Sequence, residues 1–322
     1  MTRLALAGLR DASLTCAMRG CLLLVLGAAI VVALPRLHSL STHTQPNTSV
    51  GGGLVTRSST ERKLSTDLEI AGDLAGLSEG NVRYVARQDL LSLPQVTFRV
   101  TNDPNFKAPT EVSGVLLQNL VRDLAASPAN DLVVAICADD YRAYYPGLYL
   151  KDHLPVLVLS VNGLPPERWP KDPDQHGLEM GPYLITHQDF KPAFKILAHE
   201  DEPQIPWGVT RLEFRSEKQV MAVIAPRGSA AADPKVQQGF RIAQQNCLRC
   251  HNMNDVGGKK ARHPWQVLSV WAATSPDYFA AYVRDPKSEN SHAEMYPNPS
   301  YDDATLRALT AYFRTFSSQE KP

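Results

Sequence analysis

The sequence predicts a multidomain protein with a short apolar N-terminal segment, a central α+β domain and an all-α domain at the C-terminus. Three observations indicate this order. An uncharged apolar run lies near the N-terminus, strand-like runs fill the middle, and amphipathic helical patterns follow a small, polar, proline-containing stretch. The chain of 322 residues is long enough for two ordinary domains. The predicted divisions are residues 1–35, 36–65, 66–225 and 226–322.

The first division is predicted to be a membrane anchor or an export signal. Residues 20–34 are apolar and uncharged, and Arg3, Arg10 and Arg19 precede them. The run is longer than most signal peptides and shorter than most spans, and no small-residue cleavage site follows it, which favours an uncleaved anchor. The positive-inside rule then predicts a single-pass inner-membrane protein with its domains in the periplasm, or a periplasmic protein if the segment is cleaved.

Residues 36–65 are rich in Ser, Thr, Gly and Asn and show no apolar period, so they are predicted to be a flexible linker. The balance of 33 Lys and Arg against 33 Asp and Glu gives no indication of a nucleic-acid partner. Five cysteines are too few for a disulfide scaffold.

The α+β prediction for residues 66–225 depends on β-branched or alternating runs bounded by turn residues. These strand-like runs are residues 94–100, 132–137, 155–161, 183–187 and 210–215. Residues 112–126 are predicted to be a helix, because Leu116, Leu120 and Leu124 recur at helical spacing.

Residues 225–234 are the predicted domain boundary, and we expect the two domains to have separate cores. Helices are expected to begin after Asp233, Ser275 and Asp302, which are good N-cap residues.

The sequence CLRCH at residues 247–251 carries the clearest chemistry. Two thiols separated by two residues and followed by histidine suit covalent haem attachment, zinc binding or a redox dithiol. Zinc needs a second pair of ligands, and only His263 and His292 are available nearby. A redox dithiol belongs in a βαβ setting, whereas these surroundings are helical. The pattern therefore favours haem, with Cys247 and Cys250 bonded to its vinyl groups and His251 bound to its iron through Nε2.

This motif and its flanking helices resemble a class I cytochrome c over roughly residues 232–322. The resemblance implies one covalent haem c and one-electron transfer. It also implies that the helix carrying Gly239 and Phe240 crosses the last helix at Tyr312 and Phe313.

The resemblance also suggests two further haem residues. Met295, followed by prolines before the last helix, matches the family's sixth iron ligand, and His292 is the competing candidate. The carbonyl of Pro264 is the expected acceptor for the Nδ1–H of His251.

The strand that ends at Cys137 is similar to part of the sulfite-oxidase-type molybdopterin domain, over residues 90–217. In that family, a cysteine after a strand binds molybdenum. Here the cysteine is followed by Ala-Asp-Asp-Tyr-Arg, which departs from the family's stretch, and the region is short. Cys137 is thus a buried core thiol, a reactive thiol or a molybdenum ligand.

The sequence predicts an exported c-type cytochrome that exchanges single electrons with redox partner proteins outside the cytoplasm. No catalytic residue is assigned, and the first domain is expected to dock partners. The alternative is a haem–molybdenum oxidoreductase, similar to a sulfite dehydrogenase, that carries molybdopterin at Cys137.

Overall fold

A computed structural model describes residues 53–317, except for residues 73, 75, 78–79, 102, 125, 128, 173–177 and 189–201. The predicted anchor at residues 1–35 lies outside these ranges. In the part of the chain that is described, no helix is long and apolar enough to cross a bilayer.

The structure has strands in its first part and helices in its last part. The strands are β1 (Leu68–Gly72), β2 (Val82–Val85), β3 (Val96–Val100), β4 (Thr110–Leu116), β5 (Leu132–Cys137), β6 (Arg142–Pro146), β7 (Val156–Val161), β8 (Lys171–Asp172), β9 (Leu178–Glu179), β10 (Tyr183–Thr186), β11 (Trp207–Arg215), β12 (Asn252–Met253) and β13 (Val256–Gly257). The helices are α1 (Gly53–Arg57), α2 (Arg87–Leu91), α3 (Leu117–Asp123), α4 (Gly147–His153), α5 (Glu217–Val223), α6 (Pro234–Ile242), α7 (Trp265–Thr274), α8 (Pro276–Arg284), α9 (Pro286–Glu289) and α10 (Asp303–Arg314).

Among the described residues, nine strands form one mixed sheet in the order β2-β1-β11-β10-β7-β4-β3, and β5 and β6 join it through β11. The long strand β11 pairs with three other strands: in parallel with β1 and antiparallel with β5 and β10. Four of the five predicted strand-like runs each contain one of these strands, and the fifth lies within β11, so this part of the prediction is confirmed. We call residues 53–224 the sheet domain and residues 226–317 the helical domain.

The predicted helix over residues 112–126 is correct only in its second half. Residues Thr110–Leu116 form β4, which lies between β3 and β7. Gly114 allows this, because a Cβ there would overlap the carbonyl oxygen of Leu157 on β7. Pairing with two neighbouring strands thus overrode the helical spacing of the leucines up to Leu116.

The flexible-linker prediction is wrong for the residues of 36–65 that can be compared. Residues Gly53–Arg57 form α1, and Leu54 is only 1% exposed within the core of the sheet domain. The burial of this one leucine orders a stretch that its composition marks as polar.

Two of the three predicted helix starts have the expected side-chain cap. Asp233 accepts a hydrogen bond from the Lys235 amide at 2.7 Å, and Asp302 accepts one from the Thr305 amide at 2.8 Å. At Ser275, the side chain makes no cap. Its backbone carbonyl instead accepts from the Phe279 amide at 2.9 Å, and Pro276 occupies the first helical position.

The two domains do not have separate cores, contrary to expectation. Leu132 and Val134 of β5 and Tyr144 of β6 belong to the same hydrophobic cluster as the buried residues of α6, α7, α8 and α10. Val220 and Ile224, in and just after α5, belong to it too. Alternate side chains of β5 point to opposite faces of the sheet, and those of its second face pack against the helical domain. The prediction of separate cores is wrong because the sheet domain does not bury this face by itself.

Candidate functional site

The residues 247–251 form a single tight turn that follows α6. The amides of Cys250 and His251 both donate to the carbonyl of Cys247, at 3.2 and 2.9 Å. Cys247 and Cys250 are free thiols, half-buried on this turn. The turn therefore presents two thiols and one imidazole from five consecutive residues, as haem attachment requires.

The ring of His251 is fixed by a backbone carbonyl, but not by the one expected. Its Nδ1 lies 2.5 Å from the carbonyl oxygen of His263, one residue before Pro264. The prediction for Pro264 is wrong because Pro264 caps α7, and its carbonyl accepts from the Val267 amide at 2.9 Å. With Nδ1 donating to His263, the lone pair of Nε2 is left to bind a metal.

The protonation states of Cys247, Cys250 and His251 fit covalent haem attachment better than a redox dithiol. Burial raises the pKa of the Cys247 thiol to about 12 and also raises the pKa of Cys250. Burial lowers the pKa of His251, which keeps its imidazole neutral. A redox dithiol depends on a stabilised thiolate, which these raised pKa values disfavour. Within the described ranges, no group of three or more His, Cys, Asp or Glu residues is placed to hold a metal ion.

Met295 lies in the irregular stretch between α9 and α10. Its side chain is half-buried, whereas His292 is exposed. Both flanks of this stretch approach the haem-motif turn. Tyr296 is close enough to Lys260 to affect its pKa, and Tyr301 is close enough to Cys247 to be affected by it. The stretch therefore runs beside residues 247–260, and of its two candidate iron ligands the thioether is the less exposed.

The predicted crossing of the first and last helices is present. Gly239 of α6 lies against α10, where an added Cβ would overlap the carbonyl oxygen of Ala308 and lie 2.7 Å from the Cβ of Tyr312. Phe240 stacks on Tyr312 with ring centroids 5.5 Å apart. Phe313 packs at this crossing against Trp265 and Phe279. This contact fixes α6, and α6 leads into the turn that carries the thiols.

Cys137 ends β5 within the core of the sheet domain and is only 4% exposed. Burial raises the pKa of its thiol well above the usual value, and the Asp139 carboxylate adds to this. The thiol is therefore neutral at pH 7. The Cys250 thiol also lies near enough to raise the pKa of Cys137 slightly. The end of β5 and the haem-motif turn thus face each other.

The loop after Cys137 is covered by the haem-motif loop. The Lys260 ammonium pairs with Asp139 at 2.6 Å, and the Lys259 amide donates to the Asp140 carbonyl at 3.0 Å. Gly258 permits this approach, because a Cβ there would lie 2.9 Å from the oxygen of Asp140. Residues 258–260 therefore cover the loop that a molybdenum cofactor would need to reach.

Arg249, between the two cysteines, links the domains through both its backbone and its side chain. Its carbonyl accepts from the Arg142 amide at 2.9 Å, and its Nη2 donates to the Pro203 carbonyl at 3.2 Å. Burial raises the pKa of Tyr141, and the Arg249 charge opposes that rise.

Sequence reasoning missed Arg249 and Tyr141 as site residues. The signal available was weak. Arg249 occupies a variable position of the motif, and Tyr141 was noted only as part of the stretch that follows Cys137. A charged residue inside a motif that also carries a covalent cofactor is the one feature that would have singled out Arg249.

Comparison with known proteins identifies the helical domain. The family model described as cytochrome c oxidase, cbb3-type, subunit III matches residues 234–313. A search of curated proteins found no match. Among solved structures, the chain is similar to the sulfane dehydrogenase SoxCD from Paracoccus pantotrophus, with 17% identity and a TM-score of 0.32. The alignment covers 49% of this chain and 40% of that one, so the chain spans less than half of that structure's length.

The family match covers the thiol-bearing turn, the crossing helices and the stretch that carries Met295. The chemistry of the donor set agrees with it, since two neutral thiols and a neutral, oriented imidazole lie on one turn. The C-terminal part of this chain, residues 234–313, is therefore a cytochrome c domain, which implies covalently bound haem c.

Proposed function

We propose that this chain is an electron-transfer protein that works outside the cytoplasm, with haem c held by Cys247, Cys250 and His251. The observation that carries the proposal is the hydrogen bond from His251 to the His263 carbonyl, on the same turn as two free thiols. When bound, haem c supplies a one-electron couple. The residues of the chain hold the two vinyl carbons as thioethers and orient the imidazole toward the iron.

The cellular place is proposed from the sequence. The apolar segment within residues 1–35 is proposed to export the chain, either as a single-pass anchor in the inner membrane or as a cleaved signal. Redox partner proteins in the periplasm would then exchange electrons with the haem. The sheet domain, which packs on the haem-motif loop, is proposed as the platform for such partners.

Met295 is proposed as the sixth ligand of the iron. We expect Met295→His to keep the protein red but to lower its reduction potential, because imidazole is a stronger donor than a soft, neutral thioether. A spectroelectrochemical titration measures the potential. The matched control is His292→Ala, which should leave the potential unchanged because His292 is exposed. A rise in the control, as loss of an imidazole ligand would give, together with no change in Met295→His would assign the ligand to His292.

The molybdenum alternative has less support from the residues present. A molybdenum cofactor needs a thiolate at Cys137 and space beside it. Cys137 is buried with a raised pKa, and the loop after it lies under Lys259 and Lys260. These residues do not fit the group. We therefore propose that the chain carries haem iron as its only redox metal.

Metal analysis and the Cys137→Ser variant test this proposal together. We expect one iron and no molybdenum per chain, and no haem reduction by added sulfite in the wild type. The variant should lose about 1–3 kcal/mol of unfolding free energy, because a buried sulfur is replaced by a hydroxyl that lacks a partner. Its haem spectrum should not change. Molybdenum in the wild type, with sulfite-driven haem reduction that Cys137→Ser abolishes, would make the chain an enzyme.

A further inference from the structure

Arg249 places a permanent positive charge between the two cysteines of the haem motif. A guanidinium remains protonated at any pH at which the protein is folded. The side chain is half-buried, and its Nη2 donates to the Pro203 carbonyl at 3.2 Å. Its Nε is buried and has no hydrogen-bond partner among the residues that the structure describes. The charge is thus fixed in position.

The sheet domain fixes this charge. Tyr141 lies in the loop between β5 and β6, and Pro203 lies just before β11. The backbone of the same residue is also tied, because the Arg142 amide donates to the Arg249 carbonyl at 2.9 Å. Two hydrogen bonds, one from each of two separate stretches of the sheet domain, therefore converge on one residue of the haem motif. A contact needed only for docking would not require a half-buried cation with a buried Nε, since burying a charge is costly.

The Glu202 carboxylate is the nearby group of opposite charge. Glu202 directly precedes Pro203, whose carbonyl accepts from the Arg249 guanidinium at 3.2 Å. The Glu202 amide is itself held by the Gln245 side chain at 2.5 Å, on the segment that leads into Cys247. Arg249 and Glu202 are therefore positioned by hydrogen bonds across the domain interface, beside the Lys260–Asp139 ion pair.

We propose that Arg249, held by the sheet domain, raises the reduction potential of the haem, and that Glu202 partly offsets this effect. The inference rests on the proposed attachment of haem to Cys247, Cys250 and His251. When bound, haem would supply a one-electron couple whose oxidised form carries one more positive charge than its reduced form, and a reduced partner protein would be the electron donor, with no bond formed or broken. The Arg249 guanidinium, fixed on the haem motif, would disfavour the more positive form and so favour reduction.

The size of the effect follows from Coulomb's law. Unit charges about 10 Å apart at an effective dielectric constant of about 20 change an equilibrium constant roughly tenfold. For a one-electron couple, a tenfold change corresponds to about 59 mV. Arg249 is half-buried, so salt should screen this contribution only in part.

Four variants of the full-length holoprotein test the inference, with the potential measured by spectroelectrochemical titration. Arg249→Met removes the charge and keeps the length of the side chain, and we expect reduction to become about tenfold less favourable. Arg249→Lys keeps the charge and should stay much closer to the wild type. Glu202→Gln removes the offsetting anion and should shift the potential upward. Tyr141→Phe removes the hydroxyl whose pKa the Arg249 charge affects, without changing any charge at neutral pH.

The directions of the potential shifts distinguish an effect of charge from an effect of a loosened domain interface. A lower potential in Arg249→Met, a higher one in Glu202→Gln and a small change in Tyr141→Phe would support the inference. Equal falls in Arg249→Met, Arg249→Lys and Tyr141→Phe would overturn it, because they would show that loosening of the interface sets the potential. An unchanged potential in both Arg249→Met and Glu202→Gln would also overturn it.

Failure of the haem proposal itself has a different outcome. A wild-type chain that carries no covalent haem would show no titratable haem bands, and this would overturn the proposed function and the inference with it. Thermal unfolding of each variant, followed in the same samples, identifies any that fails to fold. If Arg249→Met does not fold, the upward shift in Glu202→Gln still decides, since that variant keeps the cation and its contacts.

Discussion

Replacement of Cys247 or Cys250 by alanine should leave the haem attached through a single thioether or lost altogether. Each vinyl group needs its own thiol, and both thiols lie on one turn that is tied to the carbonyl of Cys247. The double variant should carry no covalent haem. Haem staining after denaturing electrophoresis measures attachment, and the reduced haemochrome spectrum counts the remaining vinyl groups.

The matched control is Cys137→Ala, which removes a buried thiol that faces the same turn from the sheet domain. Its haem stain should equal that of the wild type. Undiminished stain and an unchanged spectrum in both Cys247→Ala and Cys250→Ala would refute the haem c assignment. Loss of stain in Cys137→Ala as well would mean that loss of the fold, rather than loss of a bond, removes the haem.

The local features of this site were predictable because they depend on short stretches of sequence. The motif at residues 247–251 and the caps at Asp233 and Asp302 need only neighbouring residues to form. The crossing of α6 and α10 at Gly239 was also predicted, because the resemblance supplied the long-range pairing that spacing alone does not give.

The acceptor for His251 shows the limit of such reasoning. A difference of one residue, from Pro264 to His263, depends on which carbonyl points away from α7. A carbonyl that begins a helix is directed along the helix axis and accepts from the first turn. Sequence spacing places a loop near the histidine, but it does not set the direction of each carbonyl within that loop.

No local sequence pattern predicts the contact between the domains. Arg142 and Arg249 are more than one hundred positions apart, yet their backbones share a hydrogen bond. The second face of β5 was expected to be covered within its own domain, and it is instead covered by the cytochrome domain. A strand that is buried on both faces looks the same in sequence whichever partner buries it.

The second large effect is expected at the helix crossing. Gly239→Val should lower the free energy of unfolding by about 3 kcal/mol or more, at or above the upper end of the range for overpacked cores. The added Cβ overlaps the carbonyl oxygen of Ala308 and lies 2.7 Å from the Cβ of Tyr312. Neither obstacle can rotate away, since one is backbone and the other is the root of a fully buried side chain. The helices must therefore separate, which also loosens the stacking of Phe240 on Tyr312.

Gly53→Val is the control for this change, because Gly53 is also helical and an added Cβ there meets nothing within 4 Å. Valine and glycine differ by only a few tenths of a kcal/mol in helix propensity, so the control should stay within about 0.5 kcal/mol of the wild type. Chemical denaturation measures both variants. Because α6 leads directly into the turn of Cys247, Gly239→Val should also reduce the fraction of chains that acquire haem. Equal stability of the two variants would show that α6 and α10 do not approach as closely as Gly239 permits, and the haem turn would then lack the support on which its geometry depends.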